Sequence, residues 1–230
     1  MRGLRRAALA CSLLLGAAAA AAGNGLVHAL SQAAPGADPR VLELAVAAVD
    51  CAAAHGMAPA RRLAVIDYSR PSVQPRLWVF DLASRALLYQ ELVAHGRNSG
   101  DNYAHAFSNA PGSFQSSLGL FRTLDTYTGR NGYSLRMDGL EPGVNDNALE
   151  RAIVMHGAPY VSPDLQRLQG RLGRSQGCPA VRAGIARQLI DTLKGGQFVF
   201  SYYPDQRWLA ESNYLHCGRR EHAVVAQAGR

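Results

Sequence analysis

The sequence predicts a mainly β fold with one helix near its N-terminus and one helix late in the chain. Seven short runs rich in branched and aromatic residues are separated by breaks that contain glycine or proline, as is typical of β-strands. Two other segments repeat apolar residues at helical spacing. The first 22 residues are a candidate export signal, and 208 of the 230 residues remain after its removal. That length suits one domain with a substantial core.

The predicted elements follow from local signals along the chain. Asp38 is a favourable helix N-cap, and Pro39 suits the first helical position because its missing N–H needs no partner there. This helix continues over 41–55, and Gly56 ends it. A second helix is predicted over 182–194, where apolar residues share one face. The predicted strands cover 63–68, 76–80, 87–93, 118–127, 133–137, 152–155 and 198–202.

The first 22 residues have the features of a secretory signal peptide. Three arginines precede an apolar run over 7–15, and an alanine-rich stretch then offers cleavage sites. The apolar stretch is short for a spanning helix, which needs about 20 strongly apolar residues. We therefore expect export to the periplasm or cell envelope, with no stable membrane span after cleavage. The remaining chain divides into a flexible lead-in (23–37), one domain (38–217) and a C-terminal tail (218–230).

The charge of the chain limits its partners. The formal net charge is +7, and removal of the three signal-peptide arginines leaves +4. No dense Lys/Arg stripe with interleaved aromatics is present, so the sequence does not indicate nucleic-acid binding. A mild positive excess suits a carboxylate-rich polymer, but it is equally consistent with ordinary surface charge.

The most informative segment of the chain pairs a histidine with a cysteine. An apolar run over 152–155 ends at His156, and Cys178 lies 22 positions later in a tight turn over 175–179. Free cysteine titrates near about 8.5, and only the thiolate attacks, so a thiol needs a nearby base at neutral pH. The Gly-Cys-Pro turn exposes a thiol on constrained backbone. The segment therefore predicts a Cys–His nucleophilic site.

These residues resemble a known family. His156-Gly157 and the run GRSQGCPA over 173–180 are similar to the active-site signature of the murein L,D-transpeptidase (YkuD-type) catalytic domain, in its GRSxGCPA branch. The resemblance covers about 60–217. It implies a β-sandwich-like catalytic domain with its site along one groove. Further similar segments are His95-Gly96, Phe107-Ser108-Asn109, Ser116 to Gly119, Gly132 to Leu135 and Asp138 to Leu140.

The resemblance also implies roles for the site residues. Cys178 would be the nucleophile and His156 the general base, oriented by the backbone carbonyl of Gly157. The substrate would be a peptidoglycan stem peptide, cut at diaminopimelate and passed to an amine or to water, with no metal or cofactor. Backbone amides of Ser175, Gln176 and Gly177, together with that of Cys178, are candidates for the oxyanion pocket. The side chains of Ser175 and Gln176 either shape the turn or touch the ligand.

Two positions depart from the broader superfamily. Gln176 stands where histidine usually precedes the Gly-Cys pair, and Ala180 stands where asparagine or arginine is usual. These departures support one alternative from another class, a non-catalytic cell-wall-binding or envelope scaffold protein that retains the fold. A secreted cysteine peptidase is less favoured, because the papain-type context around the cysteine is missing.

Further candidate residues come from the rest of the chain. Arg174 either binds a substrate carboxylate or forms an internal salt bridge. His95 is a candidate groove-lining residue; a metal site with His105 and Cys178 is less favoured, because the spacing fits no standard zinc pattern. Ser117 lies in a segment similar to one near the family's site. Two cysteines remain after Cys11 of the signal peptide and the catalytic one, and in an exported protein Cys51 and Cys217 suggest a disulfide.

Overall fold

The computed structural model describes residues 23–217, so the predicted signal peptide (1–22) and C-terminal tail (218–230) lie outside the described residues. The helices are α1 (23–33 in the described part), α2 (Pro39–Ala54), α3 (Pro163–Gln169), α4 (Ala183–Leu193) and α5 (Gln206–Glu211). The strands are β1 (Arg62–Asp67), β2 (Leu77–Asp81), β3 (Ala86–Glu91), β4 (Val93–Ala94), β5 (Gly119–Gly129), β6 (Gly132–Gly139), β7 (Val154–Ala158), β8 (Ala180–Arg182) and β9 (Phe198–Tyr202). None of the helices in the described part is long and apolar enough to cross a membrane.

The nine strands form one mixed sheet in the order β3-β2-β1-β9-β5-β6-β7-β8-β4. The pairs β1–β9 and β7–β8 are parallel, and the other neighbouring pairs are antiparallel. The mainly β class is therefore confirmed, with a helix before the strands and α4 following the Cys178 turn. The β7–β8 pair joins the two halves of the predicted Cys–His unit.

The sheet is covered on both faces at β1 and β9. In β1, Leu63 and Val65 face one core, and Ala64 and Ile66 face the other, as the two-residue period of a strand requires. Helices α1, α2 and α5 contribute to the first core. Helix α4 fills the second and packs against β1, β6, β7 and β8, so the sheet curves around it. Burial on both faces explains why β1, β2 and β9 are nearly continuous apolar runs.

The N-terminal segment differs from its prediction. Residues 23–37 were expected to be a flexible lead-in, but the chain is helical over 23–33. Leu30 and Ala34 are fully buried in the first core, and Leu26 and Val27 pack against it. The Pro/Gly-containing stretch that suggested a loop begins only at Pro35, so it marks the end of a helix. Burial of this apolar face outweighs the loop-like composition that follows it.

The capping signals of α2 act as its sequence predicts. Asp38 accepts a hydrogen bond from the Arg40 N–H at 2.8 Å, and Pro39 occupies the first turn. Cys51 of α2 forms a disulfide with Cys217, with the two Cα atoms 5.5 Å apart. The bond ties the first long helix to the last described residue, across 166 positions of sequence.

Candidate active site

The parallel pairing of β7 with β8 brings the two halves of the motif together. His156 on β7 is the register partner of Ala180 on β8, and its N–H donates to the Pro179 carbonyl at 3.4 Å. The backbone that immediately follows Cys178 therefore runs beside His156. Both side chains line one pocket of about 350 Å³, in which the structure also brings together Arg174, Ser175 and Gln176.

The imidazole of His156 is oriented by its neighbour's backbone. Its Nδ1 lies 3.0 Å from the carbonyl oxygen of Gly157, the contact that the family resemblance implies. A carbonyl only accepts, so Nδ1 carries the hydrogen and Nε2 keeps its lone pair. Burial lowers the pKa of His156, and the hydrogen bond to Gly157 opposes part of that shift. The ring is therefore neutral at pH 7 and able to take a proton.

The turn was expected to expose the thiol of Cys178, but the packed segments around it leave only 8 % of the residue exposed. Its Sγ donates to the carbonyl of Ala152 at 3.7 Å. Burial raises the pKa of Cys178, while the Val154 N–H and the positive charge of Arg151 act in the opposite direction. The resting sulfur is thus a protonated thiol, and it needs a base to become a nucleophile.

The turn before Cys178 is held by the side chain of Ser175. Its hydroxyl donates to the Cys178 carbonyl at 2.6 Å and accepts from the Gly177 N–H at 3.1 Å, while its own N–H donates to the His95 carbonyl. Within residues 23–217, the amides of Gln176 and Cys178 donate to no backbone or side-chain oxygen, and the Cys178 N–H faces its own sulfur. The amides of Ser175 and Gly177, by contrast, are occupied.

The conformation of the turn requires glycine at position 177. Gly177 has a φ of +121°, and a Cβ there would lie 2.8 Å from the Gln115 carbonyl oxygen. The hydroxyl of Ser116 donates to the Gly177 carbonyl at 3.0 Å and accepts from the Gly96 N–H at the same distance. The turn is therefore fixed against the segment that precedes β5.

His95 does not line the groove as the sequence predicted. It is 1 % exposed, and Arg76 donates to its Nδ1 at 2.7 Å while its Nε2 donates to the Gly100 carbonyl at 3.2 Å. Burial, together with the charge of Arg76, lowers the pKa of His95 to about 3. Both ring nitrogens are thus occupied in the interior, where the imidazole satisfies a buried arginine.

The side chains of Ser117 and Arg174, which were candidate substrate contacts, already bind other groups of the protein. Ser117 is buried; its hydroxyl donates to the Ser108 carbonyl at 2.9 Å and accepts from Arg151, so it supports another side chain. Arg174 borders the pocket, but its Nη1 binds the Asp101 carboxylate at 2.8 Å. Of the two interpretations of Arg174, the internal salt bridge is present.

The sequence did not reveal the cationic character of the pocket. Arg130 at the β5–β6 turn, Arg151 before β7, and Arg174 all line it, together with Tyr160 and Asn131. No Asp or Glu is among the described residues that line this pocket. The only sequence signal for Arg151 is its position immediately before the apolar run that ends in His156, and such a position is not distinctive by itself.

The metal alternative has no support in the geometry. Cys51, His55 and Cys217 are the only three described residues whose ligand atoms lie within 4.8 Å of one another, and the two sulfurs are joined in the disulfide. His95 has no free ring nitrogen, because Arg76 and Gly100 occupy both.

Comparisons with solved structures return L,D-transpeptidases and a cell shape determining protein, all at low similarity. An L,D-transpeptidase from Mycobacterium smegmatis is 15 % identical, with a TM-score of 0.40, and the match covers 63 % of this chain and 60 % of that one. One from Mycobacterium tuberculosis is 13 % identical, with a TM-score of 0.37 and coverages of 63 % and 59 %. The helical cell shape determining protein of Campylobacter jejuni is 10 % identical, with a TM-score of 0.41 and coverages of 61 % and 46 %. Each match thus spans less than two thirds of the solved chain.

Family membership rests on sequence. A search of curated protein sequences found no match. The family model of the L,D-transpeptidase catalytic domain, however, matches residues 33–202, well over half of the chain. This range contains every residue of the pocket that holds His156 and Cys178. The chain therefore belongs to the L,D-transpeptidase catalytic-domain family.

Proposed function

We propose that the protein acts on peptidoglycan stem peptides through a thiolate at Cys178 and an acyl-enzyme. The observation that carries this proposal is the β7–β8 pairing, which sets an oriented, neutral imidazole and a protonated thiol in one pocket. The role of each residue follows from its environment. Nε2 of His156 is the base, and the Gly157 carbonyl keeps the proton on Nδ1.

The first half of the reaction forms a thioester. His156 takes the Cys178 proton as the sulfur attacks the carbonyl of diaminopimelate in a donor tetrapeptide. The negative oxygen formed there accepts hydrogen bonds from the Gln176 and Cys178 amides, which donate to no other oxygen in the described part of the chain. The bond from diaminopimelate to terminal D-alanine then breaks, and the leaving amine takes the proton from His156.

The second half releases the enzyme. The side-chain amine of a second stem attacks the thioester, loses its proton to His156 and forms a 3–3 crosslink as the thiol is restored. Water in place of the amine gives L,D-carboxypeptidase activity with the same residues. The reaction needs only the side chains and amides named here.

The charge of the pocket suits this substrate. Three arginines and no acidic side chain are found among the described residues that line it. Stem peptides carry several carboxylates, and the positive field of this lining attracts such groups without a direct contact from each guanidinium. The mild positive charge of the mature chain and its proposed export to the cell envelope agree with the same polymer.

A carbapenem provides the direct test of the nucleophile, since its reactive carbonyl is a trap for this type of thiol. Mature protein incubated with the carbapenem should gain one covalent mass, and peptide mapping should place it on Cys178. Cys178→Ala is the matched control and should gain none. A folded wild-type protein that binds cell walls but never takes the adduct would support the scaffold alternative instead.

A further inference from the structure

Arg151 is held beside the candidate active site by neutral partners. Its Nη1 donates to the Ser108 carbonyl at 2.6 Å and to the hydroxyl of Ser117. Its Nη2 donates to the hydroxyl of Ser113 at 3.2 Å and to the Gln115 carbonyl. All four Nη hydrogens are thus used by the 108–117 segment, and the guanidinium is fixed in place.

This cation has no acidic partner. In the described part of the chain, Arg151 forms no ion pair with an Asp or Glu side chain. Burial lowers the pKa of Arg151, which means that its environment penalises the charge. Partly buried charges are normally paired, because desolvation is costly. Arg151 is thus an unpaired charge that four hydrogen bonds fix in place. This arrangement indicates that its anionic partner is not a permanent carboxylate but a neighbouring group that becomes negative.

A neighbouring place where an anion forms is the sulfur of Cys178. The Nη2 of Arg151 lies 3.4 Å from the position of a Cβ built on Gly177, the residue before the cysteine. The residue after Arg151 is Ala152, whose carbonyl accepts from the Cys178 thiol. Arg151 lowers the pKa of Cys178, and a thiolate there raises the pKa of Arg151 in return.

Apart from Arg130, the other titratable groups around the thiol do not supply this charge. His156 is neutral because burial lowers its pKa. Tyr68 and Tyr160 have pKa values raised to about 12 by burial and are also neutral. Arg174 is paired with Asp101, and Arg130 lines the same pocket at the β5–β6 turn.

We propose that Arg151 is a fixed positive charge that stabilises the negative charge formed first on the Cys178 sulfur and then on the substrate oxygen. A positive charge already in place costs no reorganisation when negative charge develops beside it. Because its Nη hydrogens are occupied, Arg151 acts through its charge and not as a forked ligand for a substrate carboxylate. The effect on the substrate oxygen rests on the proposed function, whereas the effect on the sulfur does not.

The test measures the rate at which iodoacetamide alkylates Cys178 as a function of pH. Neutral variants Arg151→Gln and Arg151→Met should move the midpoint upward by about one pH unit, a tenfold loss of thiolate below the midpoint. Arg151→Lys should stay within about half a unit of wild type. Arg136→Gln removes a charge that is paired with Asp125 outside the pocket, and should not move the midpoint.

The three Arg151 variants separate charge from scaffolding. Lysine keeps the charge but cannot make all four hydrogen bonds, so a purely structural role predicts that lysine behaves like glutamine. An unchanged midpoint in a folded neutral variant, or a rise of a full unit in Arg151→Lys, overturns the proposal. If neither neutral variant folds, the lysine result decides. Alkylation requires no peptidoglycan chemistry, so its outcome is independent of the carbapenem test.

Discussion

His156 and Ala180 are register partners across the parallel β7–β8 pair, and this ladder fixes the imidazole relative to the Cys178 turn. Strand pairing defines positions more exactly than loop contacts do, and catalytic groups need such precision. The turn itself is held from behind, since the Ser116 hydroxyl binds the Gly177 carbonyl. His156 and Cys178 therefore sit on two backbone segments whose relative position depends on the whole sheet.

Replacement of His156, the proposed base, should greatly slow acylation. His156→Gln should lower the rate constant for carbapenem acylation by about 10²–10⁴-fold, because general-base catalysis contributes a factor of that size. His105→Gln, which changes an exposed histidine, should keep the wild-type rate. EDTA should not change the rate of either protein. Retention of more than a tenth of the rate by folded His156→Gln would argue against a general-base role.

The backbone of the turn gives a prediction with a matched control. Gly177→Ala should lower the free energy of unfolding by about 1–3 kcal/mol and suppress acylation, because its φ and its contact with Gln115 exclude a side chain. Gly184→Ala should instead stabilise the protein by about 0.5–1 kcal/mol, because this glycine lies in α4 with open space around its Cβ position. Urea unfolding of both variants measures the difference, and equal stability of the two would contradict the turn geometry.

The buried His95 makes stability depend on pH. Its pKa is lowered to about 3 in the folded protein, so only the unfolded chain gains a proton as the pH falls below about 6.5. Stability is therefore lost on acidification, by about 1–2 kcal/mol from His95 between pH 6.5 and 5. His156 is shifted in the same direction and adds to the slope. His95→Gln should flatten the slope in urea titrations; an unchanged slope would mean that His95 is protonated in the folded state.

The disulfide should make stability depend on redox conditions. The bond between Cys51 and Cys217 closes 166 positions of chain, and loop entropy gives an upper bound of about 5 kcal/mol for its contribution. Protein from the oxidising compartment should titrate one free thiol after signal removal, and reductant should lower its Tm. Three reactive thiols, or an unchanged Tm in reductant, would contradict the bond. The Tm of the double variant Cys51→Ser/Cys217→Ser should not change when reductant is added.

The sequence predicted those parts of the fold that local signals control. The cap at Asp38 and Pro39 begins α2, and the apolar run over 198–202 is strand β9. Strand β8 and helices α3 and α5 were missed. They span three, seven and six residues, too few for periodicity to stand out. Helix α1 was missed because the loop prediction, which the composition near Pro35 supports, also included residues 23–33. Those residues carry the apolar face of a helix.

The candidate site could be predicted only as far as its motif. His156 and Cys178 occur in a recognisable run, and the structure brings them into one pocket. The supporting contacts join residues that are distant in sequence: Ser116 with Gly177, and Arg151 with the 108–117 segment. The burial of His95 likewise depends on Arg76, which lies immediately before β2 and donates a hydrogen bond to its ring. Such pairings depend on topology, which no local pattern specifies.

The central claim is acyl transfer by Cys178 on peptidoglycan, and muropeptide analysis tests it most directly. Cell walls rich in tetrapeptide stems are incubated with purified mature protein, digested with a muramidase and analysed by mass spectrometry, with Cys178→Ala as the control. Wild-type protein should produce 3–3-crosslinked dimers, or tripeptide stems if water is the acceptor, and Cys178→Ala should produce neither. Muropeptide profiles that are the same for the folded wild type and for Cys178→Ala would contradict the account.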